Sequence, residues 1–185
     1  SEQPLVLDAC GGTGNVSELL ARRGITTTVA DVSPEMLAQW RAKAERLGIV
    51  TETLEGEIEP LIADDPRHWD LIVFSSALHH LDDYVAVARL AGSRLAPGGV
   101  LVSAFDPVPA GDRWTLLLRR FDYLLSLAAH PRHLLAAIGR RRDRHHDADH
   151  VNYGERAELH AMAGVSDEAI VAALRADGLE IVEHR

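Results

Sequence analysis

The sequence predicts an α/β domain with a doubly wound, mostly parallel sheet, and three observations carry that reading. An apolar run, Leu5-Val6-Leu7, ends in Asp8 and a glycine-rich turn, Cys10-Gly11-Gly12-Thr13-Gly14. Short β-rich runs alternate with helically spaced apolar residues across residues 5–105. Glycines, prolines and capping residues stand at the breaks between them. Strands separated by helices pair in parallel, with helices on both faces and ligands beyond the carboxyl ends of the strands.

The elements follow in order. After the glycine turn, Val16, Leu19 and Leu20 recur at helical spacing over Asn15 to Arg23, and Gly24 stops the helix. Thr26 to Ala30 is a second strand that ends at Asp31. Ser33-Pro34-Glu35 supplies an N-cap, a first-turn proline and a first-turn acid, and the helix runs through Met36, Leu37, Trp40, Ala44 and Leu47 to Gly48. Val50 to Leu54 is a weaker strand leading to Gly56-Glu57-Ile58. Trp69-Asp70 precedes a clear fourth strand, Leu71 to Phe74, followed by Ser75-Ser76-Ala77-Leu78-His79-His80-Leu81. Asp82-Asp83 start a helix through Tyr84, Val87, Ala88 and Leu95, closed by Pro97-Gly98-Gly99, and Val100 to Phe105 is a fifth strand.

Residues 107–165 interrupt the alternation. Trp114, Leu117, Leu118, Phe121, Leu124, Leu125 and Ala128 form an apolar stripe of helical period, Pro131 breaks it, and Leu134 to Ile138 continue it. Ser166 then caps a helix through Ile170, Val171 and Leu174 to Gly178, and Leu179 to Val182 reads as a last strand. The expected organisation is a core over 1–106, a helical insertion over 107–165, and the last helix and strand of the core over 166–185.

Composition narrows the function. The 185 residues suit one domain with a sizeable core, and 46% hydrophobic residues with a mean hydropathy of −0.06 describe an ordinary globule. A net charge of −9 argues against a nucleic-acid binder, which needs a basic face to displace counterions. Cys10 is the one cysteine, so no internal disulfide forms; with no signal-peptide pattern or spanning apolar run, a reducing, cytoplasmic setting is expected.

Asp8, Asp31, Glu57 and Ser75 all fall at predicted strand ends, so four polar groups converge on one edge of the sheet. An acid ending the second strand can accept two hydrogen bonds from the cis hydroxyls of a ribose; the competing role for Asp31 is a turn aspartate before a helix. Cys10 reads more simply as a small side chain packed under the loop than as a reactive thiol. His145, His146, Asp147, Asp149 and His150 do not have a standard zinc spacing and adjoin Arg140 to Arg142, so a solvated loop is expected there, with no metal.

Four motifs in order resemble a class I S-adenosylmethionine-dependent methyltransferase of the small-molecule type. They are Asp8 to Gly14; Asp31-Val32-Ser33-Pro34-Glu35-Met36-Leu37; Asp70 to Leu81 with its Leu-His-His-Leu ending; and Leu95 to Gly99. The Gly11-Gly12-Thr13-Gly14 form is similar to quinone-pathway C-methyltransferases. The resemblance implies a Rossmann-like core that binds S-adenosylmethionine. The methionine part would lie over Asp8, Cys10, Gly11, Gly12 and Gly14, the ribose on Asp31, and the adenine beside Val32, Met36, Glu57 and Ile58, with Ser75 and Ser76 completing the site. Glu57 stands where the family usually has Asp. The family's N-terminal helices have no counterpart before Leu5, and its final antiparallel strand has none before Arg185.

Methyl transfer to a small, apolar or aromatic acceptor is then expected, with His79 or His80 as the base for an acidic acceptor atom. The insertion, made basic by Arg113, Arg119, Arg120, Arg132 and Arg140 to Arg142, would cover the acceptor and touch a membrane surface or a protein weakly. Two other readings compete. A nicotinamide oxidoreductase would use Gly12, Gly14 and Asp31, but Ser17 holds the third fingerprint position and no Tyr-x-x-x-Lys follows. A non-catalytic subunit would keep the fold and offer the insertion to a partner.

Overall fold

The computed structural model describes residues 3–107 and 164–184. Residues 108–163, which carry the insertion's apolar stripe, its arginines and the His145 to His150 cluster, lie outside the described residues.

The described residues build a five-stranded, all-parallel sheet: β1 (Val6–Ala9), β2 (Thr28–Asp31), β3 (Glu52–Glu55), β4 (Trp69–Ser75) and β5 (Leu95–Ala104), in the spatial order β3-β2-β1-β4-β5. The chain moves outward from β1 to β3, then returns past β1 to β4. The order reverses between β1 and β4, and at such a reversal the loops leaving the two strands part to open a crevice.

The helices are α1 (Asn15–Ala21), α2 (Pro34–Leu47), α3 (Ile58–Asp64), α4 (Tyr84–Ser93) and α5 (Asp167–Ala176), with a 3₁₀ turn at Leu78–His80. Three starts follow the expected chemistry. Ser33 Oγ accepts from the Met36 amide, Asp83 Oδ1 from Ala86, and Ser166 Oγ from Ala169. Alternation along the strands sorts side chains to the two faces. Leu7, Ala9, Ala30, Ile72 and Phe74 meet Ile62 of α3, Val87 of α4 and Leu174 of α5, whereas Val29 meets Leu37, Trp40 and Ala44 of α2 on the other face.

The structure corrects the sequence reading in three places. Ile58–Asp64 is a helix that was not anticipated; Ile58 and Ile62 bury its inner face, and Pro60 is tolerated because it sits in the first turn. β5 begins at Leu95, ahead of Pro97-Gly98-Gly99, because Trp69 pairs with Leu95 and Leu71 with Val100, so the proline-glycine segment is accommodated by a register shift. Leu179 to Val182 is no strand of the sheet. Leu179 and Ile181 pack on the main core while Val182 is 88% exposed, so the alternation marks which side chains face inward without supplying a ladder partner.

Candidate active site

The carboxyl edge of β1, β4 and β5 is built under backbone strain. Cys10, Ser76 and Phe105 each follow directly after one of these strands, and each is a non-glycine residue in the left-handed region, with φ of 54°, 54° and 66°. Such conformations persist only where surrounding structure over-determines them, and they cluster at functional sites. Here they turn three adjacent strands sharply at the crevice.

The glycine loop explains its own composition. A Cβ on Gly11 would sit 2.8 Å from the Asp8 carboxyl carbon and from Val29 Cγ1, so only glycine lets the backbone pass this close to β1 and β2. Gly14 has φ of +70°, and a Cβ there would lie 2.2 Å from the Trp40 ring. The amide of Gly12 donates to Asp31 Oδ2 at 2.8 Å, while Asp31 Oδ1 accepts from the Ser33 amide at 2.9 Å. Loop and second-strand acid therefore form one unit.

Asp8 is 1% exposed. Its Oδ2 accepts from both the backbone amide and the hydroxyl of Ser17, at 3.2 and 2.7 Å, and its buried Oδ1 has no partner. Burial raises the Asp8 carboxyl above its ordinary range, against the pull of the Ser17 hydrogen bonds. Cys10 packs against the main core, and its thiol is pushed up to about 12 by burial and by the surrounding carboxylates of Asp31, Asp8, Asp106 and Glu57. That places four acids around one loop, three of them expected from strand ends.

The other expected residues divide clearly. Val32 and Met36 are exposed apolar side chains beside Asp31, at 40% and 42%. Glu57 precedes α3 at the end of β3, but Ile58 is a core residue at 4% exposure, so its side chain does not face solvent. Ser75 ends β4 half-buried and Ser76 is exposed, with its amide bonded to Ala104 of β5. His79 and His80 lie together on the 3₁₀ turn, with ring centroids 3.9 Å apart. His79 is buried and His80 exposed.

Two residues escaped the sequence reading. Asp106, two residues past β5, accepts from the His79 amide and pairs with His79 Nδ1 at 2.7 Å. Its signal is the same as that of Asp31, an acid following a strand, but no capped helix follows it in the sequence to mark the strand end. Ser17, weighed only as a failed third glycine, is the partner that holds Asp8.

Comparison with known proteins bears on the family and the fold. The profile of the family described as Methyltransferase domain matches residues 6–99. A ubiquinone biosynthesis O-methyltransferase of Xanthomonas euvesicatoria pv. vesicatoria (strain 85-10) is 33% identical over 106 residues, covering 57% of this chain and 44% of that protein. One from Xylella fastidiosa (strain 9a5c) is 35% identical over 96 residues, covering 52% and 39%. The chain thus spans less than half the length of these relatives, and the quinone-pathway likeness is to O-methyltransferases here.

Among solved structures, an S-adenosylmethionine-dependent methyltransferase from Clostridium acetobutylicum ATCC 824 matches with a TM-score of 0.50 at 26% identity, over 55% of this chain and 42% of that one. The magnesium protoporphyrin IX methyltransferase of Synechocystis PCC 6803, solved with bound SAH, shares the fold with a TM-score of 0.53 at 20% identity, over 66% and 54%. The matched span runs from β1 through the Leu95 to Gly99 motif, and the chain belongs to the methyltransferase domain family, of the class I S-adenosylmethionine-dependent type.

Proposed function

We propose that this chain binds S-adenosylmethionine along the carboxyl edge of β1 and β2 and catalyses transfer of its methyl group to a small, largely apolar or aromatic acceptor. The observation that carries the reading is the glycine loop tied to Asp31 through the Gly12 amide, set among the carboxylates of Asp8, Asp31, Glu57 and Asp106. S-adenosylmethionine supplies an electrophilic methyl group on a positively charged sulfur, open to in-line displacement. An acidic rim favours a ligand with a sulfonium and an ammonium, and the buried, unpartnered Asp8 Oδ1 is an acceptor in need of such a donor.

The residues divide the work. Cys10, Gly11, Gly12 and Gly14 bring the backbone against the methionine part, Asp31 accepts from the ribose hydroxyls, and exposed Val32 and Met36 flank the adenine with Glu57. Ser75 and Ser76 border the crevice from β4. Because the donor is already activated, alignment is the main task and is worth roughly 7–11 kcal/mol at best. One of the pair His79 and His80 supplies the base for a hydroxyl acceptor, a choice supported by the O-methyltransferase names of the relatives.

The acceptor side rests on sequence alone. We assign residues 112–138 to a cover over the acceptor, its arginines drawing an anionic head group or membrane surface toward an otherwise acidic protein. Among the described residues no helix is long and apolar enough to cross a membrane.

Thermal shift with S-adenosylmethionine, S-adenosylhomocysteine, NAD and NADP tests the reading. The first two are expected to raise the melting temperature and the nicotinamide nucleotides to leave it unchanged; the reverse pattern overturns it. Deleting residues 112–138 is expected to abolish turnover while cofactor binding survives, and equal loss of both would make the segment part of the core.

A further inference from the structure

We propose that His80 is the group that takes the acceptor's hydroxyl proton, and that His79 and Asp106 form a positioning pair behind it that holds its ring. This rests on the methyl-transfer reading and divides the roles of the two histidines that the sequence leaves equivalent.

The argument starts with access. The His79 and Asp106 side chains are 11% and 7% exposed, whereas His80 is on the surface, so of the two rings His80 is the one open to an incoming acceptor. The pair behind is rigid. Asp106 Oδ1 lies 2.7 Å from His79 Nδ1 and also accepts from the His79 backbone amide at 3.1 Å, while Oδ2 accepts from Ser103 Oγ at 3.3 Å. A carboxylate held by the His79 amide and the Ser103 hydroxyl fixes the imidazole it touches in ring plane and tautomer, with the proton on Nδ1.

His79 then acts on His80 by contact. Their rings are in tilted contact, with centroids 3.9 Å apart and planes 40° from parallel, so fixing one restrains the other. Charge completes the arrangement. Burial and the neighbouring His79 lower the His80 imidazole below its ordinary value, which leaves it neutral and able to accept a proton near pH 7. The carboxylates of Asp106, after β5, and Asp31, at the end of β2, oppose that shift by favouring the imidazolium. His80 follows β4, which pairs in parallel with β1, so it lies at the same carboxyl edge of the sheet as the glycine loop.

In the reaction the acceptor oxygen bonds to the methyl carbon as the carbon–sulfur bond breaks and its electron pair stays on sulfur. The hydroxyl proton passes to the His80 imidazole, and no further reactant is needed. His79 touches no reacting atom in this scheme.

Side-chain ¹⁵N NMR of the histidines in the full chain tests the pair without an acceptor. In the wild type neutral His79 is expected to carry its proton on Nδ1, and the His80 transition to perturb the His79 ring signals. A neutral His79 with its proton on Nε2, or His79 signals that do not respond to the His80 transition, overturns the proposal. Asp106→Asn is expected to move the His80 midpoint to lower pH, because a charge favouring the imidazolium is gone; an unmoved midpoint overturns it. The wild-type arm stands even where that variant fails to fold.

Turnover is read with a panel of alkylated phenols and catechols as probe acceptors. His80→Asn is expected to lower kcat by about 10²- to 10⁴-fold with S-adenosylmethionine affinity within twofold of wild type. An undiminished kcat, or no wild-type turnover on any probe, overturns the assignment of His80 to a hydroxyl acceptor. Failure of the wild type to bind S-adenosylmethionine in calorimetry is the separate result that sinks the methyl-transfer reading itself.

Discussion

The backbone amide of Gly12 donates to Asp31 Oδ2 at 2.8 Å, joining the loop after β1 to the acid that ends β2. With Oδ1 taken by the Ser33 amide, the carboxylate is held from both sides by backbone and keeps its remaining lone pairs for a ligand. Asp31 thus shapes the loop as well as standing at the proposed ribose position. Asp31→Ala is predicted to weaken S-adenosylmethionine binding by about 1–3 kcal/mol, the range for losing hydrogen bonds to a charged acceptor. Asp31→Asn, which keeps one acceptor oxygen, should lose less. Calorimetry is the check, and unchanged affinity in the alanine variant removes Asp31 from the site.

Asp8 should show a trade between stability and binding. Its carboxyl is raised by burial, so over the window between its unfolded and folded values the native state holds the proton more tightly than the unfolded chain. Stability is then lost as pH rises through that window, and above it the fold carries a buried charge with an unpartnered oxygen. Asp8→Asn is predicted to raise the melting temperature at pH 7, with the gain shrinking toward pH 4. The same change should weaken S-adenosylmethionine by roughly 1.5–3 kcal/mol where Oδ1 receives the ligand's ammonium group. A variant that is less stable than wild type at pH 7 contradicts the account.

Much of this site was legible because its chemistry is local. Gly11, Gly12 and Gly14 announce a tight turn, and Asp31 with Ser33 and Pro34 announces a strand end running into a capped helix. What escaped depends on packing between distant segments. The His79–Asp106 pair joins residues 27 positions apart through the β4–β5 register, and nothing near either residue announces the other. Ser17 is invisible as a partner until α1 swings its first turn over Asp8. Leu179 to Val182 erred the opposite way, since two inward residues fit an edge strand and a packed tail equally.

The Cys10 thiol is predicted to be inert in the native protein. With its pKa near 12, about one molecule in 10⁴ carries a thiolate at pH 8, against roughly a quarter for a free cysteine near 8.5. Alkylation by iodoacetamide at pH 8 should run about 10³-fold slower in the native state than in urea. A native rate within tenfold of the unfolded one would show that burial and the carboxylates around the loop do not act on the thiol as described.

Gly14 links the two helices that frame the loop, and its replacement should read out in the ring it touches. An added Cβ would fall 2.2 Å from Trp40 Cε3 while the backbone stays at φ of +70°, so Gly14→Ala combines overpacking with left-handed strain. Trp40 cannot simply retreat, because it is fully buried against Val29, Leu37 and Ala44 and its Nε1 donates to Thr51 Oγ1 at 3.1 Å. A loss of about 2–4 kcal/mol in urea unfolding is predicted, together with a change in native tryptophan fluorescence. Gly24→Ala is the control, since that glycine also has a positive φ, of 77°, but a Cβ there meets nothing within 4 Å. It should cost only the conformational part, about 1–2 kcal/mol, and leave the emission unaltered. Equal losses in the two variants would mean that backbone strain, not the Trp40 contact, sets the requirement for glycine at position 14.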